Sequence, residues 1–355
     1  MAKYLNIKWM KRFFIFCCLQ VMVSVGVAQT NNGFQLVEKQ DKKQVDILYN
    51  GKLLTSYCFY DSNMKPFLYP VNTLDGITIT RGYPIAPKVG DRTDHPHHVG
   101  IWMNYESVNG LDFWNNSTAI PTERKNKYGT IRHEKIVEKN AAKDKASLVA
   151  TADWITPAGV TLLKEKTTYN FFVRDGNFFI DRSSTLTAAG QPVVFKDVKD
   201  GFFAIRLSRE LELPSKEKSE FVDANGNKTT VPALSNEQVT GMYYNSDGVK
   251  GDSVWGTKAK WALLKGTKEK KEITIGIFDH PSNPGYPTYW HARGYGLFAL
   301  NPLGRNVFSN GKEELNLTLQ PNTSVRFYYR VMVSSGTKIT NEKMNAEADA
   351  FAKAN

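Results

Sequence analysis

The dipeptide Asn50-Gly51, set between the runs 44–49 and 52–60, constrains this chain more tightly than any other short stretch. A two-residue hairpin loop needs positive φ at both central residues, and Asn followed by Gly supplies that at least cost. The flanking runs carry strand-forming residues, so the pattern predicts a β-hairpin. A second hairpin is predicted from 167–173 into 178–186 through Arg174-Asp175-Gly176-Asn177. A third should join 314–319 to 324–333 across Gln320-Pro321-Asn322-Thr323. Hairpins in series build antiparallel sheets, not βαβ units. Only 341–354 has convincing helical spacing, with Met344, Ala348 and Phe351 on one face. No repeat, low-complexity tract or long Pro/Gly/Ser linker divides the chain. The expected fold is all-β: one large antiparallel β-sandwich over 29–355, closed by a C-terminal helix.

The first 28 residues read differently. Lys3, Lys8, Lys11 and Arg12 precede a mainly apolar run, 13–27, with small residues at Gly26 and Ala28. That is the layout of a cleaved secretory signal, and the apolar run is shorter than the ~20 residues a spanning helix needs. The mature protein is therefore expected in the periplasm or outside the cell, with no later membrane span. Losing those four basic residues takes the formal charge from +11 to about +7. Such an excess fits a solvated basic surface; it points away from nucleic acid and leaves acidic glycans as partners. Cys58 is then the only cysteine left, which excludes a disulfide within the mature chain. Its place between Tyr57 and Phe59 in a strand pattern marks it as a core residue rather than a nucleophile.

Three of the six histidines fall within Arg92-Thr93-Asp94-His95-Pro96-His97-His98. In an extended segment His95 and His97 would share a face and His98 would point away. Imidazoles so grouped suit metal binding, acid–base work near neutral pH, or the holding of sugar hydroxyls; the competing reading is a hydrogen-bonded turn built on Asp94. A second stretch from Asp279-His280 to Trp290-His291-Ala292-Arg293 contains three prolines. They should stiffen it as a loop, displaying binding groups or simply burying aromatics. Trp102, Tyr105, Trp114, Tyr289 and Trp290 lie near these histidines in sequence, as sugar-stacking faces or as core. His133, beside three charged residues, reads as a solvated surface group. Carboxylates able to partner the histidines are Asp94, Glu106, Asp112, Asp197, Asp200 and Asp279. Phosphate-loop and serine-hydrolase elbow motifs are absent.

Five segments together resemble an exported bacterial family labelled methane oxygenase PmoA. They are Asp94-His95-Pro96-His97-His98-Val99-Gly100-Ile101-Trp102, Val108-Asn109-Gly110-Leu111-Asp112-Phe113-Trp114, His280-Pro281-Ser282-Asn283-Pro284, Trp290-His291-Ala292-Arg293-Gly294-Tyr295-Gly296-Leu297 and Asn301-Pro302-Leu303-Gly304. The resemblance covers most of the mature chain and implies a β-sandwich similar to mutarotase-like proteins, with a glycan or small sugar as substrate. A membrane methane oxygenase would need several spanning helices, which this sequence lacks after its signal.

These readings converge on an exported carbohydrate-active enzyme of hydrolase, lyase or epimerase type. His97 or His98, with His291, serve as acid and base, and Asp94 or Asp279 orients an imidazole. Arg92, Trp102, Asn109, Asp112, Trp114, Trp290 and Arg293 form the expected substrate-binding set. The alternatives are a metal-dependent oxygenase or hydrolase using His95, His97 and His291, and a non-catalytic glycan-binding protein. No cofactor is identified by the sequence.

Overall fold

The computed structural model describes residues 32–231 and 235–354; the expected signal, 1–28, lies outside them. Two eight-stranded antiparallel sheets carry the architecture. The first runs, in spatial order, Phe34–Lys39, Gln44–Tyr49, Lys52–Cys58, Phe67–Val71, Ile101–Tyr105, Gly201–Arg206, Leu297–Asn301 and Tyr289–Arg293. The second runs Met242–Asn245, Trp261–Lys268, Lys271–Asp279, Ser324–Ser335, Asn177–Ala188, Thr161–Arg174, Lys145–Ile155 and Thr130–Ala141.

Both two-residue hairpin loops form as the sequence predicts. Tyr49 pairs with Lys52 across Asn50 and Gly51, whose φ angles are +50° and +76°. Arg174 pairs with Asn177 across Asp175 and Gly176, at +49° and +69°. The third predicted hairpin does not form. Residues Gln320 to Thr323 do make a turn, with the Thr323 N–H donating to the Gln320 carbonyl at 3.0 Å. However, Thr318–Leu319 pairs with Val193–Val194, whereas Ser324–Ser335 enters the second sheet between Lys271–Asp279 and Asn177–Ala188. The physical reason is Asp197, whose carboxylate accepts from the backbone N–H groups of Asn306, Leu315 and Asn316 and ties that segment elsewhere.

Between the sheets lies the main core, and strand alternation decides what enters it. Ile101, Met103 and Tyr105 point inward, as do Phe203, Ile205, Trp290, Ala292, Phe298 and Leu300. Rings from the two sheets meet there; Phe203 stacks on Tyr329 at 4.9 Å. The alternate positions of the first sheet face outward and form a second apolar layer with Cys58, Phe67, Tyr69, Trp102, Ala204, Leu297 and Ala299. Val99 and Trp114, from the long connections that precede and follow strand Ile101–Tyr105, pack onto this layer.

The outer face of the second sheet is covered by the C-terminal helix, Asn341–Ala352. Thr340 caps it by accepting from the Lys343 N–H, and Met344, Ala348 and Phe351 pack against Phe179, Trp261, Phe278 and Met332. The helix thus lies on a sheet face rather than at the edge of the fold. Among the described residues no helix is long and apolar enough to cross a membrane.

Candidate functional site

The histidine-rich segment sits over the outward layer of the first sheet, held by two buried arginines. Arg81, with its side chain 1% exposed, donates to the carbonyls of Arg92, Asp94, His95 and His98 at 2.8–3.1 Å, and to the Asp94 carboxylate at 2.9 Å. One guanidinium thus satisfies carbonyls that have no strand partner. Arg206 occupies an outward position of its strand and donates to the same Asp94 oxygen at 2.7 Å. Burial alone would raise the Asp94 pKa, but Arg206, the His95 hydrogen bond and Arg81 outweigh it and hold the carboxyl well below its usual range.

The segment turns instead of extending. The His98 N–H donates to the His95 carbonyl at 3.0 Å, and His95 adopts φ +44°. His95 therefore stacks on His98, with centroids 4.7 Å apart and planes within 2°, while His97 meets both rings edge-on. The expected pairing of His95 with His97 on one face is corrected by this turn. Tyr295 extends the stack beyond His95 at 5.0 Å, and Trp102 extends it beyond His98 at 5.2 Å. Trp114 continues from Trp102, at 5.2 Å, to His291, at 6.4 Å.

Hydrogen bonds assign different parts to these imidazoles. His95 Nδ1 lies 2.5 Å from the second Asp94 oxygen, so this is the imidazole that Asp94 orients; its side chain is 41% exposed. His98 Nδ1 lies 3.1 Å from an Arg206 nitrogen, and since arginine can only donate, Nδ1 accepts and the proton resides on Nε2. Among the described residues, His97 Nε2, His98 Nε2 and His291 Nδ1 are buried without a hydrogen-bond partner. Burial lowers the pKa of all three well below the ordinary histidine value; Lys65 adds to this at His97, His97 and Arg206 at His98, and Lys199 and Arg293 at His291. They are neutral rings offering hydrogen bonds, and within this cluster the imidazole that a carboxylate orients is His95.

His291 projects outward from Tyr289–Arg293, with Nε2 3.8 Å from Asp200. Asp200 also pairs with Lys199, its N–H donates to the Glu106 carboxylate at 3.2 Å, and its carbonyl accepts from the Glu106 N–H at 3.0 Å. Burial, then the Asp200 charge, raises the Glu106 pKa; burial also raises Asp112, against the two hydrogen bonds Asn115 donates to its carboxylate. The hydrogen-bonded Asp94–His95 pair, and Asp200 standing 3.8 Å from the neutral His291 ring, thus share one sheet face with Tyr295 and Trp114. Among the described residues no group of three or more His, Cys, Asp or Glu is arranged to hold a metal ion, so His95, His97 and His291 do not form a ligand set.

A family model matches residues 44–349. The chain belongs to DUF6807, a family of unknown function. No curated protein matches it. Similar solved structures include the galactosidase domain of an alpha-galactosidase–sucrose kinase, 10% identical with TM-score 0.38, covering 85% of this chain and 41% of that one. Others are a galactose mutarotase related enzyme from Lactobacillus acidophilus (10% identical, TM-score 0.31, 86% and 98% covered) and a galactose mutarotase-like protein from Clostridium acetobutylicum (11%, 0.35, 85% and 98%). The chain spans about two fifths of the galactosidase chain.

Several expected site residues of this DUF6807 chain have other work. Arg92 donates to Glu212 at 2.7 Å and lies over Phe221, tying the segment to the hairpin Ser219–Val222/Lys228–Val231. Asn109 accepts from the Val194 N–H and donates to the Pro192 carbonyl, fixing a turn. Trp290 points into the main core and donates to the Ala259 carbonyl. The Arg293 guanidinium lies 4.5 Å over Trp255. Asp279 accepts from the backbone N–H groups of His280 and Thr288 and from the Asn283 side-chain amide, and orients no imidazole ring; burial nonetheless pushes it up to about 7. His280 packs against Tyr328 and Phe351, in contact with the C-terminal helix. The second histidine stretch therefore brings His291 to the site and leaves Asp279 and His280 elsewhere.

His133 is not a free surface ring: it packs on Phe59 with centroids 4.1 Å apart and planes tilted by 31°, and its Nδ1 lies 3.1 Å from the Tyr57 hydroxyl. Cys58 is buried as expected, and burial pushes its thiol up to about 12.

The sequence reading missed Arg81, Arg206, Tyr295 and Lys65. Phe202-Phe203-Ala204-Ile205-Arg206 carried the available signal, a lone arginine at an outward position of an apolar strand. Lys65 is 3% exposed and donates to the His97 carbonyl at 2.7 Å, with its ammonium 5.5 Å over Trp102. Burial lowers it to about 7, partly offset by Asp112. The unfolded value is about 10.4, so between these two pH values the unfolded chain binds more protons and stability should rise with pH. Urea midpoints at pH 7 and 9.5 check this: the increase should shrink in Lys65→Met, and an equal increase in that variant would assign it to other groups.

Proposed function

We propose that this protein catalyses proton transfer on a sugar, of epimerase, lyase or hydrolase type, at the outward face of the first sheet, and that it acts in the periplasm or outside the cell. The observation that carries the reading is the Asp94–His95 pair: an ionised carboxylate fixed by two arginines holds His95 Nδ1, leaving the other nitrogen of a half-exposed ring for substrate. His95 takes or delivers the proton. The neutral His291 ring, with Asp200 3.8 Å from its Nε2 and Glu106 raised nearby, supplies the opposite partner. Tyr295 and the stacked rings behind it offer an aromatic surface to a sugar ring, and the unpartnered nitrogens of His97, His98 and His291 offer hydrogen bonds to hydroxyls.

A saccharide panel followed by proton NMR in deuterium oxide tests the reading. The expected result is a new anomeric, unsaturated or deuterium-exchanged signal with at least one sugar. Binding without any turnover across the panel would instead favour the glycan-binding alternative.

A further inference from the structure

His95 is bounded by Asp94, bonded to its Nδ1, by His98 and Tyr295, whose rings lie parallel to it within 2° and 8°, and by His97, which meets it edge-on. One guanidinium reaches Asp94, His98 and Tyr295 together. Arg206, its side chain 0% exposed, donates from one terminal nitrogen to Asp94 Oδ1 at 2.7 Å and from the other to His98 Nδ1 at 3.1 Å. Its central carbon lies 4.9 Å from the Tyr295 ring centroid.

Both buried arginines bond Asp94 Oδ1, which leaves Oδ2 to hold His95 Nδ1 at 2.5 Å. The contacts close into a circuit: Arg206 to Asp94, Asp94 to His95, His95 face to face with His98 at 4.7 Å, and His98 back to Arg206. Arg81 meets the same carboxylate, but its other bonds go to backbone carbonyls, so it fixes the course of the chain rather than the rings.

Opposite tautomers follow from this circuit. An ionised carboxylate only accepts, so the neutral His95 ring carries its proton on Nδ1 and presents a lone pair at Nε2. An arginine only donates, so His98 carries its proton on Nε2 and its Nδ1 lone pair is occupied. Burial, then His97 and Arg206, also keeps His98 uncharged well below the ordinary histidine value. The charge that His95 gains with a proton therefore forms beside a neutral ring, not beside a second cation.

We infer that Arg206 is the positioning residue of His95, fixing that ring through Asp94 and keeping its parallel neighbour His98 in the opposite tautomer. Two bonds at fixed angles need a planar fork, which an ammonium on a flexible stem does not supply. The inference rests on the reading of His95 as the acid–base ring, but the circuit and its tautomers are observable whether or not a sugar is turned over.

The test is nitrogen-15 NMR of the full mature chain labelled at histidine, in which each ring reports the nitrogen that carries its proton. At pH 8.5, about two units above the unperturbed imidazole value, the parent should show His95 protonated on Nδ1 and His98 on Nε2. Arg206→Lys should leave His98 a mixture of both tautomers, while His133, bonded to Tyr57 outside the circuit, keeps its signals. With a responsive sugar the same variant should lose about 10- to 100-fold in kcat at a KM within about 2-fold, because Arg206 is buried and acts only through His95. A parent His98 protonated on Nδ1, an Arg206→Lys protein that keeps the parent's tautomers, or a loss confined to KM overturns the inference. If Arg206→Lys does not fold, the parent spectrum decides. Opposite tautomers that mix in Arg206→Lys, alongside no turnover of any sugar, would sink the catalytic reading and leave the positioning of His95 in place.

Discussion

Replacing His95 by alanine should lower turnover of a responsive sugar by about 10²- to 10⁴-fold, the usual contribution of a positioned acid or base. The fold should survive, because the ring is half-exposed and the elements that hold its segment do not need it. Arg81 and Arg206 still meet the Asp94 carboxylate, and Arg81 still meets the four carbonyls. His97→Ala is the informative contrast. It removes a neutral, edge-on ring, so it should weaken substrate binding while leaving the pH dependence of turnover in place. Rates measured from pH 5 to 9 for the two variants separate the roles. A His97→Ala profile that loses its acid limb while His95→Ala keeps the parent's would reverse the assignment. Asp94→Asn is a poorer probe, since Asp94 also compensates two buried guanidiniums and its loss should destabilise the whole segment.

The parts of this molecule that local chemistry determines were legible in the sequence. Asn50-Gly51 and Asp175-Gly176 specify their hairpins because positive φ at two successive residues admits few alternatives. The C-terminal helix announces itself through the spacing of Met344, Ala348 and Phe351. The third hairpin failed because a turn does not determine which strands pair. Asp197, remote in sequence, captures three backbone N–H groups and sends the segment to another partner. The site divides the same way. Clustered histidines marked the segment that folds into one stack of rings, but which of them a carboxylate orients depends on a turn at His95 and on Arg81 and Arg206. Arg81 is 13 residues from Asp94 in the chain and Arg206 is 112. Strand parity explains the rest: in the run Trp290-His291, one residue faces the core and the other the site, and no local feature says which.

The largest stability effect should come from the middle of the sandwich, far from any proposed chemistry. Glu165 and Arg182 face inward from neighbouring strands of the second sheet, both with side chains 5% exposed and 2.7 Å apart. Glu165 also accepts from the Thr167 and Ser184 hydroxyls and the Trp154 indole N–H. A space of about 10 Å³ beside them is near the least that holds a water, which would serve the Arg182 nitrogen left without a partner. Glu165→Ala strands a guanidinium in an apolar interior and should cost about 3–5 kcal/mol in denaturant unfolding. Glu165→Met combined with Arg182→Met removes both charges at similar volume, so much of that loss should return. Recovery should stop short of complete because Trp154 loses its acceptor and, of the Thr167 and Ser184 hydroxyls 2.7 Å apart, only one can donate to the other, at about 1–3 kcal/mol for a buried donor left unmade. A double variant no better than Glu165→Ala would show that the shared hydrogen-bond network, rather than charge compensation, stabilises this part of the core.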